Sequence, residues 1–212
     1  QICDEWANKD SRVKVIHKDN EGVAKARLDG VRVAVGGYVT FVDSDDWVEN
    51  DFLKIQYDNI VNKNFDIVQC NYREVHPDKN ISCTFKEKIY TEDNIDNLVK
   101  EFVSEQMVSI NPSMWNKIFK RDIIEQAVII GESKLSIGED YLVVFAAVCI
   151  SNRVFIADTP ELYNYRNNII SVTKNYNSKL KYETEVFFQH ISKIADKFNI
   201  AAMDYSLKII YV

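Results

Sequence analysis

Glycine and proline are scarce, six and three in 212 residues, and no stretch of them marks a linker, an internal repeat or a low-complexity segment. Cysteine is also sparse: Cys3, Cys70, Cys83 and Cys149 stand far apart, with no C-x-x-C pair. That spacing excludes a disulfide framework and predicts reduced thiols, as in a cytoplasm. His17, His76 and His190 sit in no metal-ligand spacing. The longest apolar run, near Tyr141 to Ile150, is too short to span a bilayer. The sequence opens with no signal-peptide pattern, and Gln rather than Met stands at position 1. Positive charge is short as well: 26 Lys and Arg against 32 Asp and Glu give a net charge of −6, which argues against a general nucleic-acid binder.

What remains is ordinary for a soluble globular chain, 46% hydrophobic and 27% charged, with enough length for one sizeable core. Its most informative stretch is Tyr38-Val39-Thr40-Phe41-Val42 followed by Asp43-Ser44-Asp45-Asp46-Trp47. The first five residues read as a short buried strand introduced by Gly36 and Gly37. Three carboxylates then fall within four positions, where their like charges need a cation or donors. One reading is a solvated loop, with Asp46 or Asn50 capping the next helix. The other is a divalent-metal site, because carboxylate oxygens suit Mg²⁺ or Mn²⁺. Position favours the second, since ligands of open α/β sheets bind at the carboxyl ends of strands.

Taken in order, the pattern predicts a helix from Gln1 to Lys9, a strand over Arg12–His17, and a helix from Val23 to Ala34 after a turn at Asn20-Glu21-Gly22. The central strand follows, then a helix over Asp51–Asn62 and a buried strand over Asp66–Asn71. This alternation predicts a parallel sheet covered by helices. Beyond Tyr72 the chain is more polar, with hairpin-like pieces around Ile81 to Phe85 and a helix starting at Thr91. Asn111 to Phe119 reads as a loop feeding a short strand, and Gly138-Glu139-Asp140 opens an apolar helix over Tyr141–Cys149. Arg153–Ile156 reads as a strand and Tyr163–Arg166 as irregular. Helices over Tyr182–Phe198 and Ala201–Val212 end the chain.

Several blocks, in order and spacing, resemble the inverting glycosyltransferases of family 2, which have the GT-A fold. They are Asn20-Glu21-Gly22-Val23-Ala24-Lys25-Ala26-Arg27, Gly30, Ala34, Gly36-Gly37-Tyr38, Phe41 to Trp47, Trp115-Asn116-Lys117-Ile118-Phe119, Gly138-Glu139-Asp140, and Tyr165-Arg166 with Ser171. Leu28-Asp29 departs from the Asn usual after Arg27, and Gly37 replaces a common Glu. The family's first two strands, one ending in a nucleoside-binding Asp, are not in this sequence, and the expectation is that the functional protein continues upstream with them. The resemblance implies an α/β fold, a mostly parallel Rossmann-like sheet with flanking helices, over residues 1–173. Residues 1–110 would form the donor and metal half, 111–173 the acceptor half, and 174–212 a C-terminal helical segment.

The same resemblance implies metal-dependent transfer of a sugar, with inversion, from a nucleotide-diphosphate sugar such as a UDP-sugar to a glycan or lipid-linked acceptor. Asp45 would bind Mn²⁺ or Mg²⁺ directly, with Asp43 on the metal or its water and near the ribose; Asp46 stands behind them or caps a helix. Arg27 would face the donor, and Arg166 with Ser171 would belong to a late loop folding over the diphosphate. Asp140 would be the general base, Glu139 its companion, and Trp115, Asn116 and Lys117 would meet the acceptor. A lipid-linked acceptor would bring a cytoplasmic protein to the inner face of a membrane. Trp47 and Trp115 suit either sugar stacking or a core. Two other classes stay open: a non-catalytic nucleotide-sugar or carbohydrate binder, and a receiver-like or phosphoryl-transfer domain. The last lacks a phosphate-loop signature and a suitable strand-end Lys.

Overall fold

The structure, a computed structural model, describes residues 2–103, 109–133, 135, 138–167 and 180–200. The chain order is α1 (Ile2–Lys9), α2 (Val23–Val33), β1 (Tyr38–Thr40), β2 (Trp47–Val48), α3 (Phe52–Asn62), β3 (Ile67–Gln69), β4 (Tyr72–Val75), β5 (Asn80–Cys83), β6 (Lys88–Tyr90) and α4 (Ile95–Val103). It continues with β7 (Lys117–Lys120), α5 (Arg121–Ile130), α6 (Glu139–Ile150), β8 (Val154–Ile156), β9 (Tyr163–Arg166) and α7 (Leu180–Lys197).

A central sheet runs β1-β7-β3-β8-β6, and a smaller one runs β2-β9-β4-β5. Side chains of the central strands alternate between two cores, as the two-residue period of a strand requires. Ile67, Phe119, Val154 and Ile156 face one core, which α2, α4, α5, α6 and α7 complete. Val68, Ile118 and Phe155 face the other, closed by Ile60 of α3 together with Phe65. A sheet buried on both faces is the layered α/β arrangement expected from the sequence. Strand direction differs from the expectation. β3–β8 is parallel, whereas β7 runs antiparallel to both β1 and β3 and separates them. The adjacency of β1 and β3 implied by their sequence order therefore does not occur.

Other differences have local causes. Arg12–His17 forms no strand, because no described strand lies beside it to complete a ladder. Tyr163–Arg166, read as irregular, is a strand that pairs with β2 and β4. Its alternation of Tyr with polar residues was the signal. Thr91 leads into a turn closed by Asn94, and the helix begins at Ile95. Ser171 and residues 201–212 lie outside the described residues.

α6 carries buried side chains on every side, Leu142 to Val148, as an apolar helix at a domain's centre does. Its approach to α5 depends on Gly131. A Cβ there would sit 2.8 Å from the Val143 nitrogen and 2.9 Å from the Leu142 carbonyl carbon, both main-chain atoms that cannot yield alone. Gly131→Ala should therefore push α6 outward and cost about 1–3 kcal/mol, the range for overpacking. Denaturant midpoints of parent and variant check this; equal midpoints would show that the two helices separate freely.

Candidate active site

Three elements meet at one point. α2 brings Arg27, the loop after β1 brings Asp43, and the first turn of α6 brings Glu139 and Asp140. Arg27 Nη2 donates to Asp43 Oδ1 at 3.0 Å, while Nη1 donates to Glu139 Oε1 at 3.4 Å and to Asp140 Oδ1. A planar fork of donors is suited to linking several carboxylates. The Met114 amide donates to the other oxygen of Asp140 at 3.2 Å. Ahead of the acids, Gly138 adopts φ +88°, and a Cβ at this position would meet the Phe187 ring at 3.1 Å. Glycine thus fits both the left-handed backbone and the packing of α7 against the start of α6.

Burial sets the electrostatics. It pushes the Glu139 carboxyl up to about 7, the negative Asp140 adds to this, and Arg27 opposes it. Asp140 is also raised by burial, with the Arg27 charge pulling the other way. Two adjacent carboxyls with raised affinities for a proton form a site able to take one near neutral pH.

The acidic loop is held by β9. Tyr163 donates its hydroxyl to Asp46 Oδ2 at 2.7 Å and accepts the Asp43 amide at 3.0 Å. The Arg166 amide donates to Asp46 Oδ1 at 2.8 Å. Asp46 is therefore a strut of the loop and does not cap α3, whose first residue follows Asp51. Burial raises the Asp46 carboxyl, against the pull of these hydrogen bonds. The Arg166 guanidinium lies 5.1 Å from the Trp47 ring centre, and its Nε donates to the Asp45 carbonyl at 2.9 Å.

Arg27, Asp43, Asp45 and Glu139 line one open cleft of about 590 Å³. Asp45 is exposed and Asp43 half-buried. Among the described residues no three His, Cys, Asp or Glu side chains converge on one ion position. Two carboxylates opening into a cleft wide enough for a diphosphate still fit Mg²⁺ or Mn²⁺, which usually take one or two carboxylates and complete their shell with phosphate oxygens and water.

The structure thus brings Arg27, Asp43, Asp45, Glu139 and Asp140 together and sets Arg166 beside the acidic loop. The expected acceptor contacts are placed differently. Trp115 is buried, stacked 4.5 Å from Tyr163 and 5.5 Å from Tyr165, and Asn116 and Lys117 have no exposed surface. These side chains support the site from beneath instead of offering a face to an acceptor. Tyr163 and the Met114 amide were absent from the sequence-derived site. An aromatic hydroxyl bound to a distant loop, and a main-chain donor, leave no pattern in a single sequence.

Comparison with known proteins fits this arrangement. The chain belongs to glycosyl transferase family 2, whose model matches residues 1–126. The EpsH protein of Bacillus subtilis (strain 168) is 30% identical over 206 residues, covering 92% of this chain and 58% of EpsH. Glycosyltransferase GlyA of Streptococcus pneumoniae serotype 4 is 30% identical over 187 residues, 84% of this chain and 26% of GlyA. The chain therefore spans little more than half of one relative and about a quarter of the other. Among solved structures, S. aureus TarS 1–349 in complex with UDP-GlcNAc superposes with a TM-score of 0.70 at 21% identity, over 96% of this chain and 55% of that one. The α/β fold, with its central sheet and flanking helices, is GT-A.

Proposed function

We propose that the protein transfers a sugar from a UDP-sugar to a glycan or lipid-linked acceptor, with inversion and with the help of Mn²⁺ or Mg²⁺. The observation that carries this reading is the placement of Asp43, Asp45 and Glu139 around one cleft, with Asp140 next to Glu139 behind it and Arg27 joining Asp43 to both acids of that pair. The UDP-GlcNAc bound by TarS supports the choice of donor. On this reading residues 1–110 supply the donor and metal residues, 111–173 enclose the acceptor side, and 174–212 form a C-terminal helical segment. A lipid-linked acceptor would be met at the inner face of a membrane; no described helix is itself long and apolar enough to cross one.

The chemistry needs a stabilised leaving diphosphate and a base for the acceptor hydroxyl. A divalent ion on Asp45, supported by Asp43, would neutralise charge developing on the diphosphate. Asp140 accepts the proton of the acceptor hydroxyl as that oxygen bonds to the anomeric carbon and the bond to the diphosphate breaks. One displacement from the opposite face inverts the anomeric centre. Arg27 holds Asp140 and Glu139 in place and reaches the cleft where diphosphate oxygens would lie. Arg166, beside the exposed Asp45, is placed to act on the same diphosphate, with Ser171 further along the chain.

The test is transfer by the intact chain across a panel of nucleotide sugars, with and without Mn²⁺, in parent and Asp45→Ala. Asp45 is exposed in a loop, so its loss relieves repulsion and leaves the fold intact. The variant should lose metal-dependent donor binding and turnover. Unchanged metal affinity in the presence of nucleotide would remove Asp45 from the ligand set, and metal-dependent donor binding without turnover in the parent would favour the non-catalytic reading.

A further inference from the structure

Lys117 is fully buried at the start of β7, an unusual place for an ammonium group, and the catalytic scheme above gives it no task. Its Nζ donates to the Asn111 carbonyl at 2.6 Å, the Ser113 carbonyl at 2.7 Å and Asn116 Oδ1 at 2.7 Å. An ammonium has three donors, and here each has an oxygen. Two of those oxygens belong to the main chain just before Met114, the residue whose amide donates to Asp140. The segment is pinned at its ends too: the Asn111 amide donates to Gln69 Oε1 at 2.8 Å, and the Asn116 side chain donates to the Cys70 carbonyl at 3.3 Å.

We propose that Lys117 is the positioning residue of the catalytic base, its ammonium gathering the 111–116 turn so that the Met114 amide is fixed against Asp140 Oδ2. The inference rests on the reading of Asp140 as the base. A buried Lys kept only for packing would be replaceable by an apolar chain of similar length, and often with gain. Here such a replacement leaves two main-chain carbonyls and an amide oxygen without their donor and releases the turn. Burial pushes the Lys117 ammonium down to about 7, opposed in part by Cys70 and by the charge of Asp140.

Lys117→Met, and Lys117→Gln as a gentler variant retaining amide donors, test this in the intact chain. Two readouts are needed. One is kinetics with the nucleotide sugar accepted by the parent. A loosened base should lower kcat by roughly 10²-fold, the cost of an ångström's misplacement, with the donor KM within about twofold of the parent's. The other is an NMR titration following the Met114 amide proton and the Asp140 carboxyl carbon. In the parent the amide should move with the ionisation of Asp140; in a folded variant that coupling should fall away. The idea is overturned by a folded variant with parental kcat and intact coupling. It is also overturned by a Met114 amide in the parent that ignores Asp140, which decides the matter even if neither variant folds. A parent that transfers no sugar would defeat the assigned function, while the titration would still judge the link from Lys117 to Asp140.

Discussion

Asp140→Asn is expected to lower turnover by roughly 10²–10⁴-fold, the span attributed to general base catalysis, while the donor KM stays near the parent's. The substitution keeps the shape of the side chain and an oxygen for the Met114 amide. It removes the ability to accept the acceptor's proton. Donor binding depends on Asp43, Asp45 and the diphosphate cleft, which the change does not touch. Because burial raises Asp140, activity in the parent should rise with pH along a limb displaced above the ordinary carboxylate range. Glu139→Gln should cost less, since Asp140 remains. Steady-state kinetics across pH checks all three statements, and near-parental turnover in Asp140→Asn would move the search for a base to Glu139.

Arg27→Met should reduce stability as well as activity. Removing one partner from a buried charged cluster commonly costs about 3–5 kcal/mol, and the low end applies here because all four side chains keep some solvent contact. The deficit should depend on pH in a defined sense. Glu139 binds its proton more tightly folded than unfolded, with a value of about 7 against an ordinary 4.5. Its contribution is therefore fully present below the unfolded value and is lost as pH rises through the folded one. Without the Arg27 charge both carboxyls rise further, so the loss extends to higher pH. The gap between variant and parent should then widen from pH 5 to pH 8. Urea unfolding at several pH values measures it; a gap independent of pH would mean that Arg27 stabilises through packing alone.

The fold was legible in the sequence, and the residues of the candidate site could be named from a resemblance. Arg27 comes from the middle of α2, the acidic loop from the end of β1 and Glu139-Asp140 from the first turn of α6. It was therefore the resemblance, more than local position, that named them together, and ion pairs through Arg27 join Asp43 to both acids of the pair. Trp115, Asn116 and Lys117 stand in an equally distinctive block but point inward, because the turn from Asn111 to Asn116 needs donors and acceptors beneath it. A motif reveals that a block matters before it reveals which way its side chains face. Strand direction was hidden for a similar reason. Local alternation shows that Ile118 and Phe119 belong to a strand, but not that this strand lies between two earlier ones.

That insertion of β7 between β1 and β3 bears on how the chain folds during synthesis. Strands formed from residues near 40 and near 68 have no common partner until residues 117–120 have left the ribosome. Until then both expose unpaired main-chain groups along an edge, and such edges invite association with other nascent chains. The pairing also spans a long separation in sequence, which slows its formation. A chain stalled before residue 117 should accordingly be bound by chaperones or degraded, and native structure should appear abruptly once β7 and its following helix α5 are available.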